Sequence, residues 1–120
     1  MYKVKADHVK NRLYVTVINT IEKGELAQYC TDMKNSIATL KTGFTALLNL
    51  KDAGVFTQDA VSLESLNETK EVAVRAGMSK SAMVVCSPTL KMQITRNFKN
   101  IGSKDEAFDA VEEAEAFLDR

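Results

Sequence analysis

The chain has no tryptophan, one proline, one histidine, two cysteines and no excess charge of either sign. Each scarcity removes a class of function. Sixteen basic and sixteen acidic side chains cancel, so no bulk field draws nucleic acid or an anionic membrane toward the protein. The longest apolar run, Ala82 to Cys86, falls far short of the roughly 18 residues a spanning helix needs. No charged region followed by an apolar block opens the chain, so no secretory signal and a cytoplasmic location are expected. Cys30 and Cys86 show no metal-ligand spacing; reduced, buried thiols are expected, with a disulfide as the lesser alternative. The lone histidine, His8, falls in an expected turn with no nucleophile placed beside it, which disfavours a catalytic triad. Glycines 24, 43, 54, 77 and 102 cannot be arranged into a dinucleotide fingerprint or a phosphate loop. Asp105, Glu106 and Asp109 straddle a turn and read as a solvated helix start, so no metal site and no cofactor are expected. Tyr2, Lys3, Lys5, Arg12 and Tyr14 form only a faint basic and aromatic pattern, which a charged sheet edge explains equally well.

What is present is a regular alternation of elements in a chain of 120 residues, a length that suits one domain, 1–120, with its own core. Tyr2 to Ala6 and Asn11 to Ile18 alternate apolar and polar positions across the short link 7–11, predicting a hairpin with lysines on an edge strand. In the second strand Leu13, Val15 and Val17 share one face and Arg12, Tyr14 and Thr16 the other. From Gly24 the period lengthens: Leu26, Cys30, Met33, Ile37 and Leu40 mark one stripe of a helix, with Gly43 just past its end. Phe44, Ala46, Leu48 and Leu50 then share the inner face of a central strand. Leu63, Leu66, Ala73 and Gly77 mark the inner side of a second helix, capped by Thr57 or Asp59. Ala82 to Cys86 is a short apolar strand, and Ser87-Pro88 starts a helix carrying Leu90, Ile94, Phe98 and Ile101. Ser103 to Arg120 reads either as one helix or as a strand and a helix. The Asp109-x-x-Glu112 capping pattern favours the split: an edge strand at Glu106–Phe108, then a helix with Val111, Ala114 and Leu118 inward.

The predicted order is β-β-α-β-α-β-α-β-α, an α/β fold with a mostly parallel five-stranded sheet, an antiparallel N-terminal edge strand and four helices. In such sheets ligands collect outside the carboxyl ends of the strands. That rim would hold Asp52, Phe56, Thr57, Asp59 and Ser62 after the third strand, and Ser87 and Thr89 after the fourth. Two helix N-termini would open there with free N–H groups suited to an anion, although capping is the commonest role for Thr57, Asp59 and Ser87. If successive crossovers place every helix on one side, the other face shows Tyr14, Thr16, Leu47, Met83 and Val85. Such a patch is too apolar to stay wet; it would make a homodimer or seat a small hydrophobic molecule. An enzymatic reading, with Thr57, Asp59, Cys86 and Ser87 converging at the rim, ranks last.

Several local patterns resemble the STAS family, the anti-sigma-factor antagonists and sulfate-transporter tail domains. Leu48-Asn-Leu-Lys-Asp-Ala-Gly-Val-Phe56 is similar to the family's third strand and following loop. Val84-Val-Cys-Ser-Pro88 resembles its next strand running into a helix near proline, and Ala107-Phe-Asp-Ala-Val-Glu-Glu-Ala114 its final strand, cap and helix. The resemblance implies a bacterial, non-catalytic regulatory module that binds a protein partner. Regulated members carry Asp-Ser-Ser-Gly at the start of the second helix, where a serine is phosphorylated. Here Gln58-Asp-Ala-Val61 stands in that place, with Asp59 and Ala60 where the serine pair would fall. Thr57 and Ser62 are nearby hydroxyls outside the motif. The departure argues against a phosphorylation switch, and a fixed carboxylate at Asp59 would either imitate the modified state or simply cap the helix. The chain also resembles an uncharacterised branch of the same fold likened to lipid-carrying SEC14 domains, which implies a hydrophobic-ligand alternative.

Overall fold

The computed structural model describes residues 1–19, 23–53, 60–85, 88 and 104–120. Within them the order is β1 (Tyr2–Asp7), β2 (Arg12–Val17), α1 (Lys23–Ala38), β3 (Thr45–Asn49), α2 (Ala60–Arg75), β4 (Lys80–Val84), β5 (Lys104–Phe108) and α3 (Val111–Asp119). The strands lie side by side in chain order. β1 pairs antiparallel with β2, and every later pair is parallel. The N-terminal edge strand and the mixed sheet are as the alternation of elements predicts. Three helices occur among the described residues; the helix expected between Ser87 and Gly102 lies outside them.

Local chemistry accounts for the turns. The carboxylate of Asp7 accepts the N–H groups of Val9 and Lys10 (3.0 and 3.1 Å), closing the hairpin link. After α2, Gly77 takes φ +101°. Its N–H donates to the carbonyl of Val74 (3.0 Å) and that of Met78 to Ala73 (3.1 Å), the paired bonds of a Schellman stop. A Cβ at Gly77 would lie 2.6 Å from the Thr42 methyl, so both the backbone angle and the contact require glycine. Gly43 is left-handed too, at φ +91°, but α1 stops at Ala38. Gly43 therefore turns the chain into β3 and does not end the helix. α3 starts differently from the expected capping pattern as well: its N-cap is Ala110, extended and without a side-chain cap bond.

The sheet separates two apolar clusters. Leu13, Val15, Val17, Phe44, Ala46 and Leu50 pack with Tyr29, Met33 and Ile37 of α1 and Ala73 of α2 on one side. Leu47, Ala82 and Val84 pack with Ala114, Phe117 and Leu118 of α3 on the other. This corrects the expectation that all helices share a face. The crossover rule binds only a helix that joins two parallel strands; α3 follows the last strand and is free to fold under the opposite face.

A second correction concerns Met83 and Val85, expected beside Tyr14, Thr16 and Leu47. The register pairs Leu47 with Ala82 and Leu48 with Met83. Met83 and Val85 therefore join the α1/α2 cluster, while Tyr14 and Leu47 belong to the α3 side. Thr16 shares that side by strand alternation. A strand apolar at every position carries no period to set its phase, and a slip of one residue exchanges the faces.

Candidate functional site

Beyond the carboxyl ends of β2 and β3 the main chain builds a short platform. Asn19, at φ +60°, forms an isolated parallel bridge with Ala53, and its N–H donates to the carbonyl of Asp52 (2.9 Å). The side-chain oxygen of Asn49 accepts the N–H of Lys51 (3.1 Å), which turns the chain as soon as β3 ends. Leu50 donates its N–H to the carbonyl of Val84 (2.9 Å), so the ends of β3 and β4 are tied together. Lys51 and Asp52 stand exposed on this platform, offering one charge of each sign. Of the residues expected on the rim, Asp52 alone has its side chain among those described. Phe56, Thr57, Asp59, Ser87 and Thr89, and the side chain of Ser62, lie outside the described residues.

The α1/α2 face holds a cavity of about 110 Å³. Tyr29 and Met33 of α1, Thr69, Lys70 and Ala73 of α2, Ala46 and Leu48 of β3, and Met78, Ser81 and Met83 line it. The wall is mostly aliphatic and thioether, with hydroxyls at Thr69 and Ser81. A mostly apolar hollow with a few polar groups on its wall suits a small apolar molecule, and methionine adapts its shape to an irregular occupant. Sequence reasoning placed any hydrophobic site on the opposite face. The signal it passed over is the pair of small residues, Ala46 and Ala73, on elements that face one another.

The α3 face is closed at its β2 edge by a buried guanidinium. Arg12, 3% exposed, donates from Nε to the Thr45 hydroxyl (2.9 Å), from Nη1 to Glu115 (3.1 Å) and from Nη2 to Asp119 (2.7 Å). Lys10 donates to the same Glu115 carboxylate (3.2 Å). Lys80 donates to the main-chain oxygens of Phe117 and Arg120 (3.1 and 2.6 Å) and sits 5.2 Å over the Phe117 ring, satisfying the end of α3. Burial alone would raise the Glu115 carboxyl, but the neighbouring Tyr14 hydroxyl and the charges of Lys10 and Arg12 hold it below its ordinary value. The Asp119 carboxyl is lowered by its hydrogen bond from Arg12. Lys10 and Arg12, near the start of the chain, thus meet Glu115 and Asp119, near its end. The signal was positional: Glu115 and Asp119 are one helical turn apart and project to one side.

His8 is exposed in the hairpin turn, its Nε2 3.0 Å from the Thr39 hydroxyl. Tyr2 donates its hydroxyl to Asp32 (2.6 Å), and that bond lifts the phenol to about 12. Cys30 is half-buried, and Cys86 lies outside the described residues. Among the described residues no group of three or more His, Cys, Asp or Glu side chains is arranged to hold a metal. No helix among them is long and apolar enough to cross a membrane.

The arrangement of strands and helices is SpoIIAA-like. The chain is similar to the anti-sigma factor antagonist SpoIIAA in its unphosphorylated form, with a TM-score of 0.69, 13% identity, and coverage of 99% of this chain and 96% of that one. It is similar also to an uncharacterised protein of the DUF3478 family from Shewanella loihica PV-4 with a SpoIIAA-like fold. There the TM-score is 0.65 at 9% identity, covering 98% of this chain and 93% of that one. No protein-family model and no curated protein sequence matches the chain. At such identities the likeness establishes the fold, and function has to be argued from the site.

Proposed function

We propose that the protein is a non-catalytic interaction module of the STAS type that regulates a protein partner through its strand-end rim. The rim runs from Asp52 through Phe56, Thr57, Asp59 and Ser62 to Ser87 and Thr89. The observation that carries this reading is the SpoIIAA-like fold, matched over nearly the whole of both chains. Asp59 and Ala60 stand where the resemblance places the serine pair, so binding is constitutive and not switched by serine phosphorylation. A cytoplasmic location accords with that role.

Quantitative comparison of proteins captured by the wild type, Asp59→Lys and Phe56→Ala tests the rim. A partner retained by the wild type and lost on both variants is the expected result. Equal capture by all three contradicts it.

The cavity favours a second reading, a small hydrophobic ligand carried on the α1/α2 face. Native mass spectrometry of the purified protein is the check. A bound apolar species supports this reading, and a bare chain in every preparation removes it.

A further inference from the structure

The outer edge of β1 is an open row of main-chain groups whose orientation follows from the ladder. Met1 and Ile18 exchange both main-chain hydrogen bonds, at 2.8 and 3.2 Å. Bonded and non-bonded pairs alternate along an antiparallel ladder, so with the observed register the bonded pairs are Lys3–Thr16, Lys5–Tyr14 and Asp7–Arg12. The N–H and C=O groups of Tyr2, Val4 and Ala6 therefore point away from β2. β1 ends the sheet, and no strand among the described residues meets those groups. Such an edge is a template for one more strand.

The two sides of that edge differ in chemistry. Tyr2 and Val4 lean on the α1/α2 cluster and are only partly buried. Glu25 and Asp32 flank Tyr2 on that side, so an added carboxylate is repelled there. Lys3 and Lys5 are exposed on the other side, opposite Thr16 and Tyr14, and neither forms an ion pair among the described residues. Asp7, the nearest carboxylate along the strand, is engaged by the hairpin turn. A second copy of β1 would bring lysine against lysine, which is unfavourable across a strand pair.

We propose that the β1 edge receives an extended peptide segment of alternating acidic and apolar residues. Its main chain bonds to Tyr2, Val4 and Ala6, its carboxylates face Lys3 and Lys5, and its apolar side chains cover Tyr2 and Val4. This surface is separate from the strand-end rim, and each can fail without the other.

The probe is a blocked peptide of about six to eight residues alternating glutamate and valine, with a lysine-valine peptide as its counterpart. Residue-resolved hydrogen exchange is followed at saturating peptide. The amides of Tyr2, Val4 and Ala6 are expected to exchange freely in the protein alone and to slow by at least about tenfold with the glutamate peptide. The double variant Lys3→Glu with Lys5→Glu should lose that protection and gain it with the lysine peptide. Continued protection of the ladder amides of residues 3 and 5 shows that the variant is folded. The proposal is overturned if the three amides stay fast, or if both peptides protect the wild type equally. Concentration-dependent protection without peptide also overturns it, since the occupant would then be a second copy.

Discussion

The two faces of the sheet bury apolar surface in different ways. On the α1/α2 side the larger cluster borders a cavity of about 110 Å³, whose mostly apolar wall also carries the hydroxyls of Thr69 and Ser81 and the half-buried Lys70. On the α3 side a short helix sets three buried residues, Ala114, Phe117 and Leu118, against the sheet, and Arg12 and Lys80 fasten the margin. Nine residues are too few for a helix to persist alone in water. α3 therefore exists because its underside is buried and its carboxylates and carbonyls are held from β2 and β4. A face with room can accommodate an occupant. A face closed by a charged clamp is built to stay shut.

The largest effect that sharpens this contrast is loss of the α3 anchor. Phe117→Ala should cost about 3–5 kcal/mol, measured by urea unfolding, because the ring is 4% exposed and its removal leaves Leu47 and Val84 without cover. A loss below about 1 kcal/mol would mean that α3 is an ornament on an already closed sheet. Arg12→Ala comes next, at about 2–3 kcal/mol. It strips partners from Thr45 and Glu115 at once, but Glu115 is 23% and Asp119 58% exposed, so water softens the loss. Far-ultraviolet circular dichroism of the same variant should show less helix, since α3 frays first.

Acid offers a graded version of the same break. The carboxyls of Glu115 and Asp119 lie below their ordinary values of 4.5 and 3.8 when folded. Each therefore contributes stability that is complete above the unfolded value and is lost as pH falls through the folded one. Stability in urea should be level from neutral pH down to about 5 and then fall. Asp7 and Asp32 are lowered as well, so the acid slope should be reduced but not abolished in Arg12→Ala. An unchanged slope in that variant would separate the clamp from acid stability.

Particular residues show what was legible before the structure. The alternation of Leu13, Val15 and Val17 and the stripe of Met33 and Ile37 identify the elements, because one buried face imposes one period. The antiparallel edge follows from the same alternation; the split at Asp109 is read from a capping pattern, and the strand and helix are found although Ala110, not Asp109, is the N-cap. The phase of β4 was not legible, since an apolar strand reads the same in either register. Nor was the side taken by α3, because no crossover rule applies to it. The features around the strand ends and the α3 face differ in legibility for a related reason. Asp52 falls on the strand-end platform, where a general rule of open sheets puts it, whereas the Arg12 clamp joins positions 103 and 107 residues apart and depends on that unread choice of face. The cavity is harder still, being a deficit of volume distributed over five elements.

Two alanines on neighbouring central strands test the inequality of the faces most directly. Ala82, 0% exposed, packs under α3, while Ala46, 2% exposed, lines the cavity. Valine at either site gains the same strand preference, so the difference in unfolding free energy between Ala82→Val and Ala46→Val reports packing alone. The account predicts that Ala82→Val costs about 1–3 kcal/mol through crowding, while Ala46→Val is neutral within about 0.5 kcal/mol or stabilising. A cost at Ala46 equal to or greater than that at Ala82 would contradict it.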